Sequence, residues 1–179
     1  APYFLEIAVY APHDRATAHP FYAQTPLFPV MYRDRPTPEQ PEGNCGPVPC
    51  TAFRLVDLPG HADPRGDNRP RHTDGSRAPA WQQTTLLPPA QARRNLRQRA
   101  RMVQSVDRLL EQVLASVDAD TYVILTSDNG FHLDQWGMAR GKGTAYDSDI
   151  HVPLVVVGPG VVPGVREGAV SNLDLAPTL

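Results

Sequence analysis

The sequence predicts an α/β fold in which a largely parallel sheet is flanked by helices. Three observations lead there. Three short runs are almost entirely apolar, as strands covered on both faces must be. A long stretch of helical period stands between the first and the second. Proline and glycine punctuate the runs and stop them.

Residues 3–10, Tyr-Phe-Leu-Glu-Ile-Ala-Val-Tyr, lie between Pro2 and Pro12 and read as the first buried strand. Residues 20–89 differ in kind. They hold 14 of the 20 prolines, show little periodicity, and read as an irregular excursion over the surface, with disorder of part of it as the other reading. Pro88-Pro89 opens a helix, because proline's missing N–H has no partner in a first turn. Leu96, Val103, Val106, Leu110, Val113 and Val117 then form one apolar stripe at three- and four-residue steps. Arg93, Arg94, Arg97, Arg99 and Arg101 crowd its first half; such a run is ordinarily a solvated face, with an anion-binding face as the alternative. Residues 121–126 give the second buried strand and residues 152–157 the third, which Gly158-Pro159-Gly160 ends. Parallel strands in this order imply a right-handed crossover.

Composition narrows the field only a little. A net charge of −2 exerts no general attraction on nucleic acid or membrane, and no apolar run approaches the roughly 18 residues that cross a bilayer. Cys45 and Cys50, separated by Gly-Pro-Val-Pro, either close a small disulfide loop or stand as two free thiols. The chain opens on an apolar run without an initiator Met and stops in a segment that reads as a helix just beginning. Both ends therefore read as cuts through structure, and neither compartment nor oligomeric state is legible.

The chemistry collects at the carboxyl ends of the strands, where open α/β sheets bind ligands. The first strand runs into Ala11-Pro12-His13 and the second into Ser127-Asp128-Asn129-Gly130-Phe131-His132. Gly141-Lys142-Gly143 precedes the third. Asp128 and Asn129 offer a carboxylate and an amide carbonyl side by side, hard oxygen donors that suit Ca²⁺ or Mg²⁺. Gly130 permits a positive φ directly after them. Lys142 can bring a compact positive charge to an anion, and His13 and His132 can donate protons near neutral pH. Singly each is weak, since Asp-Asn-Gly is a common turn and a lone His or Lys is usually structural or solvated. The order and spacing carry the information.

Thr126-Ser127-Asp128-Asn129-Gly130-Phe131-His132, then Gly141-Lys142-Gly143-Thr144-Ala145-Tyr146-Asp147, then Val152-Pro153-Leu154 and Gly158-Pro159-Gly160, resemble the sulfatase family of the alkaline phosphatase superfamily. The likeness is nearest to carbohydrate sulfatases of the N-acetylglucosamine-6-sulfatase and iduronate-sulfatase type. Residues 3–13 resemble the family's strand and Pro-His element, and Asn172–Thr178 the element after its metal-site strand. The likeness covers residues 1–20 and 90–179, leaving the proline-rich middle unmatched.

The resemblance implies an alkaline phosphatase-like fold, of which residues 1–179 are the C-terminal part of a catalytic domain, and metal-assisted cleavage of a sulfate monoester, carbohydrate-linked in these branches. It implies that Asp128 and Asn129 are Ca²⁺ ligands, with Mg²⁺ as the alternative. Lys142 would contact the sulfate and bridging oxygen, His13 would bond the sulfate or protonate the departing alcohol, and His132 would line the substrate site. The reaction needs such groups: the leaving oxygen gains negative charge as the S–O bond breaks, and a cation and a proton donor placed there lower the barrier.

The family's nucleophile is a formylglycine made from Cys in Cys-x-Pro/Ala-x-Arg, and the resemblance puts it, with two further metal-binding aspartates, ahead of the Pro-His strand and so outside this chain. Cys50-Thr51-Ala52-Phe53-Arg54 satisfies the pattern literally but follows His13 and sits in the proline-rich stretch, so Cys50 is only a minor contender for nucleophile. Asp134 stands where close relatives usually carry Gly, and Arg15 where Pro often follows Pro-His. Two other readings keep the fold: a phosphonate or phosphate diester hydrolase, and a catalytically inactive metal-binding or interaction module. Asp-Asn in place of Asp-His favours sulfate over phosphate diesters.

Overall fold

The computed structural model describes residues 3–9, 11–13, 49–62, 69–79 and 86–179. Cys45, Arg15 and the greater part of the proline-rich stretch lie outside the described residues, and with them the question of the Cys45–Cys50 pair. The chain divides into two compact units. The first takes in everything up to Ala115 together with Leu133–Arg140, and the second Ser116–His132 and Gly141–Leu179.

The first unit is built on helix α1, Pro89–Ser116. It begins where the prolines dictate: the Pro88 carbonyl accepts from Gln91 N (2.8 Å) and Ala92 N (3.0 Å). Its inward stripe runs through Ala92, Leu96, Met102, Val106, Leu110 and Val113, while Val103, expected inside, is 45% exposed and Met102 takes its place. Leu55, Ala92 and Leu133 form the core, with Leu58, Leu87 and Leu96 packed on it. Leu55 enters from a 3₁₀ turn, Leu55–Asp57.

Residues 133–140 fold as a tight loop against residues 59–61. Gln135 Nε2 donates to Pro59 O (2.9 Å), Trp136 N to Gly60 O (2.9 Å), and His61 bridges Gln135 antiparallel. Asp134 adopts a positive φ of 55°, and its carboxylate is buried, accepting from Leu87 N at 3.0 Å. Residues 3–9 carry no strand pairing among the described residues and are exposed, Phe4 at 75%, so the expected first buried strand is corrected to an exposed, unpaired segment. Their apolar side chains meet no sheet partner among the described residues, and without ladder bonds a strand pattern alone does not bury itself.

The second unit holds two short strands, β1 (Val123–Leu125) and β4 (Val155–Val157), paired Val123 to Val157, Ile124 to Val156 and Leu125 to Val155. The pairing is antiparallel. Among the described residues the sheets are small antiparallel pairs, and they show no large parallel sheet of the kind expected. The reason lies in the connection. A parallel return needs a crossover that carries the chain back to the strand's beginning, whereas residues 126–154 keep a short strand pair and a one-turn helix, and the chain re-enters from the end it left. Those strands are β2 (His132–Leu133) and β3 (Arg140–Gly141), at the point where the chain passes between units; the helix is α2, Asp147–Ile150. Every β4 residue is exposed. Tyr122 lies over Gly158, where an added Cβ would come within 2.4 Å of its ring, and its hydroxyl donates to Pro159 O at 2.8 Å.

Candidate functional site

The turn after β1 is tied at three points. Asp128 Oδ1 accepts from Asn129 N (2.8 Å), Ser127 Oγ donates to Asn129 O (2.9 Å), and Asn129 Nδ2 donates to Gly130 O (2.7 Å). These bonds orient Asn129 so that its amide oxygen faces outward, where it accepts from Lys142 Nζ at 3.0 Å. Asp128 is exposed and Asn129 partly buried. A carboxylate, an amide oxygen and an ammonium are thus gathered within one unit, a pattern able to hold a cation and an anion together.

Gly130 is needed for space. Its φ is not positive, contrary to expectation. An added Cβ would lie 2.1 Å from Ser148 O, and Gly130 N donates to Asp149 O at 2.7 Å. The strand-to-turn backbone rests directly on α2.

Asp149 is the buried centre beneath the turn, 3% exposed. Its carboxylate accepts from Thr144 N (2.9 Å) and Thr144 Oγ1 (2.7 Å), and lies 2.9 and 3.1 Å from His132 Nδ1. Burial pushes the carboxyl up, but the Thr144 hydroxyl and N–H and the His132 ring outweigh it and hold Asp149 below its ordinary value. An ionised carboxylate only accepts, so His132 Nδ1 carries the proton and donates. Where the sequence reading put His132 against substrate, the structure buries the ring completely, beside Asp149.

His13 belongs to the first unit, exposed in the turn at residues 11–13; Arg99 Nη1 donates to Pro12 O at 3.0 Å. Arg99 is thus withdrawn from the solvated face that its charge run predicted, as are Arg97 and Arg101, which are partly buried, while Arg93 and Arg94 are exposed. Cys50 opens a 3₁₀ turn, Cys50–Ala52. Arg54, the arginine of its literal motif, is exposed and forks onto Asp57 at 2.6 and 3.0 Å.

Sequence reasoning missed Asp149, Thr144 and Asn172. Asn172 Nδ2 donates to Ser127 O (2.8 Å) and its Oδ1 accepts from Thr126 Oγ1 (3.1 Å), securing the residues just before Asp128. Ser171 and Asp174 cap the following turn reciprocally, Ser171 N donating to Asp174 Oδ2 at 2.8 Å. The partners of Asn172, some 45 residues away, leave no local mark in the sequence.

Among the described residues no three His, Cys, Asp or Glu side chains gather as a metal site. The donor chemistry at Asp128 and Asn129 fits a hard cation, but two oxygens are part of a site, short of the six to eight that calcium takes.

A family model described as Sulfatase matches residues 2–179. Sulfatase ppz1 of Metarhizium majus is 27% identical over 187 aligned positions, which cover 99% of this chain and 38% of that protein. The extracellular sulfatase SULF-1 homolog of Drosophila melanogaster is 40% identical over 87 positions, 45% of this chain and 8% of the relative. Human N-acetylglucosamine-6-sulfatase is 38% identical over 89 positions, 46% of this chain and 16% of the relative. The chain thus spans less than two fifths of each of these relatives' length. No solved structure matches.

Proposed function

The chain belongs to the sulfatase family, and from that premise we propose that it carries part of the active site of a sulfuric ester hydrolase acting on a carbohydrate-linked sulfate monoester. One contact supports the reading most: Lys142 Nζ rests 3.0 Å from Asn129 Oδ1, directly after Asp128 in the chain. A lysine beside paired hard-oxygen donors is what a sulfate ester and its counter-cation require together.

Lys142 binds a sulfate oxygen and the bridging oxygen, and its ammonium offsets the charge that grows there as the S–O bond breaks. His13 donates a proton to the departing alcohol oxygen. Asp128 and Asn129 would hold Ca²⁺, or Mg²⁺ in its place, as part of a larger ligand set. Such an ion would supply positive charge to offset the sulfate oxygens that otherwise repel a nucleophile. The nucleophile is a formylglycine elsewhere in the protein. The names of the relatives, N-acetylglucosamine-6-sulfatase among them, support a sugar as the alcohol.

The test is the full-length protein assayed on an aryl sulfate, a sulfated N-acetylglucosamine and a phosphate diester. We expect sulfate esters to be preferred and Lys142→Ala to lower kcat by roughly 10²–10³-fold. Preference for the diester would move the protein to the sister chemistry. Near-normal turnover in Lys142→Ala would remove that residue from the mechanism.

A further inference from the structure

Lys142 sits on a loop between two glycines, both at positive φ, 154° and 91°, and a Cβ added at Gly143 would meet nothing within 4 Å. Yet its ammonium rests on Asn129, and the two residues are 13 positions apart in sequence. Something must set the spacing between the turn carrying Asp128 and Asn129 and the loop carrying Lys142.

One residue touches both. The Asp149 main-chain oxygen accepts from Gly130 N at 2.7 Å, immediately after Asn129. The Asp149 carboxylate accepts from Thr144 N at 2.9 Å and Thr144 Oγ1 at 2.7 Å, two residues after Lys142. It also accepts from His132 Nδ1 at 2.9 Å, two residues after Gly130. Both Asp149 and His132 are buried, at 3% and 0% exposure. Burying a carboxylate is costly, and an apolar side chain would fill the same space without that cost. What a carboxylate adds is direction: it accepts several charge-assisted bonds at defined angles and so places their donors.

We infer that Asp149 is a positioning residue, which through Thr144 and His132 holds the Lys142 loop and the Asp128–Asn129 turn at one fixed separation. The consequence for turnover rests on the sulfatase reading; the consequence for Lys142 itself does not. His132 acts here through Asp149, not on substrate. Thr144 is the joint on the loop side, since its N–H and hydroxyl both end on the same carboxylate oxygen.

The test uses the full-length protein as wild type, Thr144→Val, Thr144→Ser and Asp149→Asn. Three quantities are read: kcat and KM on an aryl sulfate, thermal unfolding, and the rate at which an amine-reactive reagent labels Lys142. Lys142 is the only lysine of these 179 residues, so its peptide is readily assigned by mass spectrometry. Displacing a catalytic group by an ångström costs on the order of 10²-fold, so we expect Thr144→Val to lower kcat by that order while KM moves by less than about 3-fold. Lys142 labelling should rise several-fold in Thr144→Val and in Asp149→Asn, and Thr144→Ser should restore both readouts. A fall in unfolding temperature alone, with kcat and labelling unchanged in the folded protein, overturns the proposal. Should the wild type hydrolyse no sulfate ester, the functional reading fails by itself and labelling decides: faster labelling rescued by serine upholds the positioning role, and unchanged labelling overturns it.

Discussion

Replacing Gly130 by alanine probes the contact beneath the proposed metal ligands. The new Cβ would lie 2.1 Å from Ser148 O, 2.9 Å from Ser148 C and 3.2 Å from Asp149 Cα. All three are backbone atoms, so no side chain can rotate away. Opening 2.1 Å to the 3.0 Å below which real Cβ contacts essentially never fall parts the two segments by about 0.9 Å. That movement stretches the 2.7 Å bond from Gly130 N to Asp149 O past good hydrogen-bond length. Overpacking of this kind costs about 1–3 kcal/mol and the lost bond about 1 kcal/mol, so we expect a destabilisation of roughly 2–4 kcal/mol. Asn129 is the adjacent residue, and its displacement should lower kcat by about 10²-fold. Urea unfolding of the full-length wild type and Gly130→Ala gives the first quantity. Turnover of an aryl sulfate, measured below the onset of unfolding, gives the second. Stability within about 0.5 kcal/mol of wild type, together with normal kcat, would refute the steric reasoning.

Three further outcomes are expected. Gly60→Ala should destabilise by roughly 2–3 kcal/mol, since its φ is 73° and a Cβ would strike the Trp136 ring at 2.5 Å; an unchanged urea midpoint would count against the loop packing. Burial pushes the Asp134 carboxyl above its ordinary value of 3.8, against the Leu87 N–H and His61, so the fold disfavours the ionised form and its contribution falls as pH rises through the raised value. Asp134→Asn should therefore be more stable than wild type at pH 7, the difference vanishing below about pH 4; a gain of equal size at both pH values would exclude ionisation as the cause. Asp128→Ala in the full-length protein should weaken calcium binding by about 10-fold or more, read by calorimetry, and unaltered affinity would remove Asp128 from the ligand set.

Local chemistry was legible because it needs no partner far along the chain. The prolines announced α1 and the Asp-Asn-Gly run announced the turn. Helical period placed Val106, Leu110 and Val113 on the inward stripe and misplaced Val103, which is exposed while Met102 beside it is buried. Arg99 read as one more solvated charge until its guanidinium was found on Pro12 O. The same limit explains Gly130, whose sequence suggests freedom of φ while the structure requires only that nothing stand between it and Ser148.

Sequence by itself determined which groups the site could use: two hard oxygen donors after one strand, a single lysine between glycines, and histidines nearby. Strand direction was decided only in three dimensions, because apolar runs look alike whether paired parallel or antiparallel, and the connection chooses. So was the burial of His132. An imidazole is equally suited to substrate or to a buried carboxylate, and the Asp149 side chain, 17 residues on, turned it inward. Burial and hydrogen-bond geometry are properties of the folded chain, because they depend on partners that stand far apart along it.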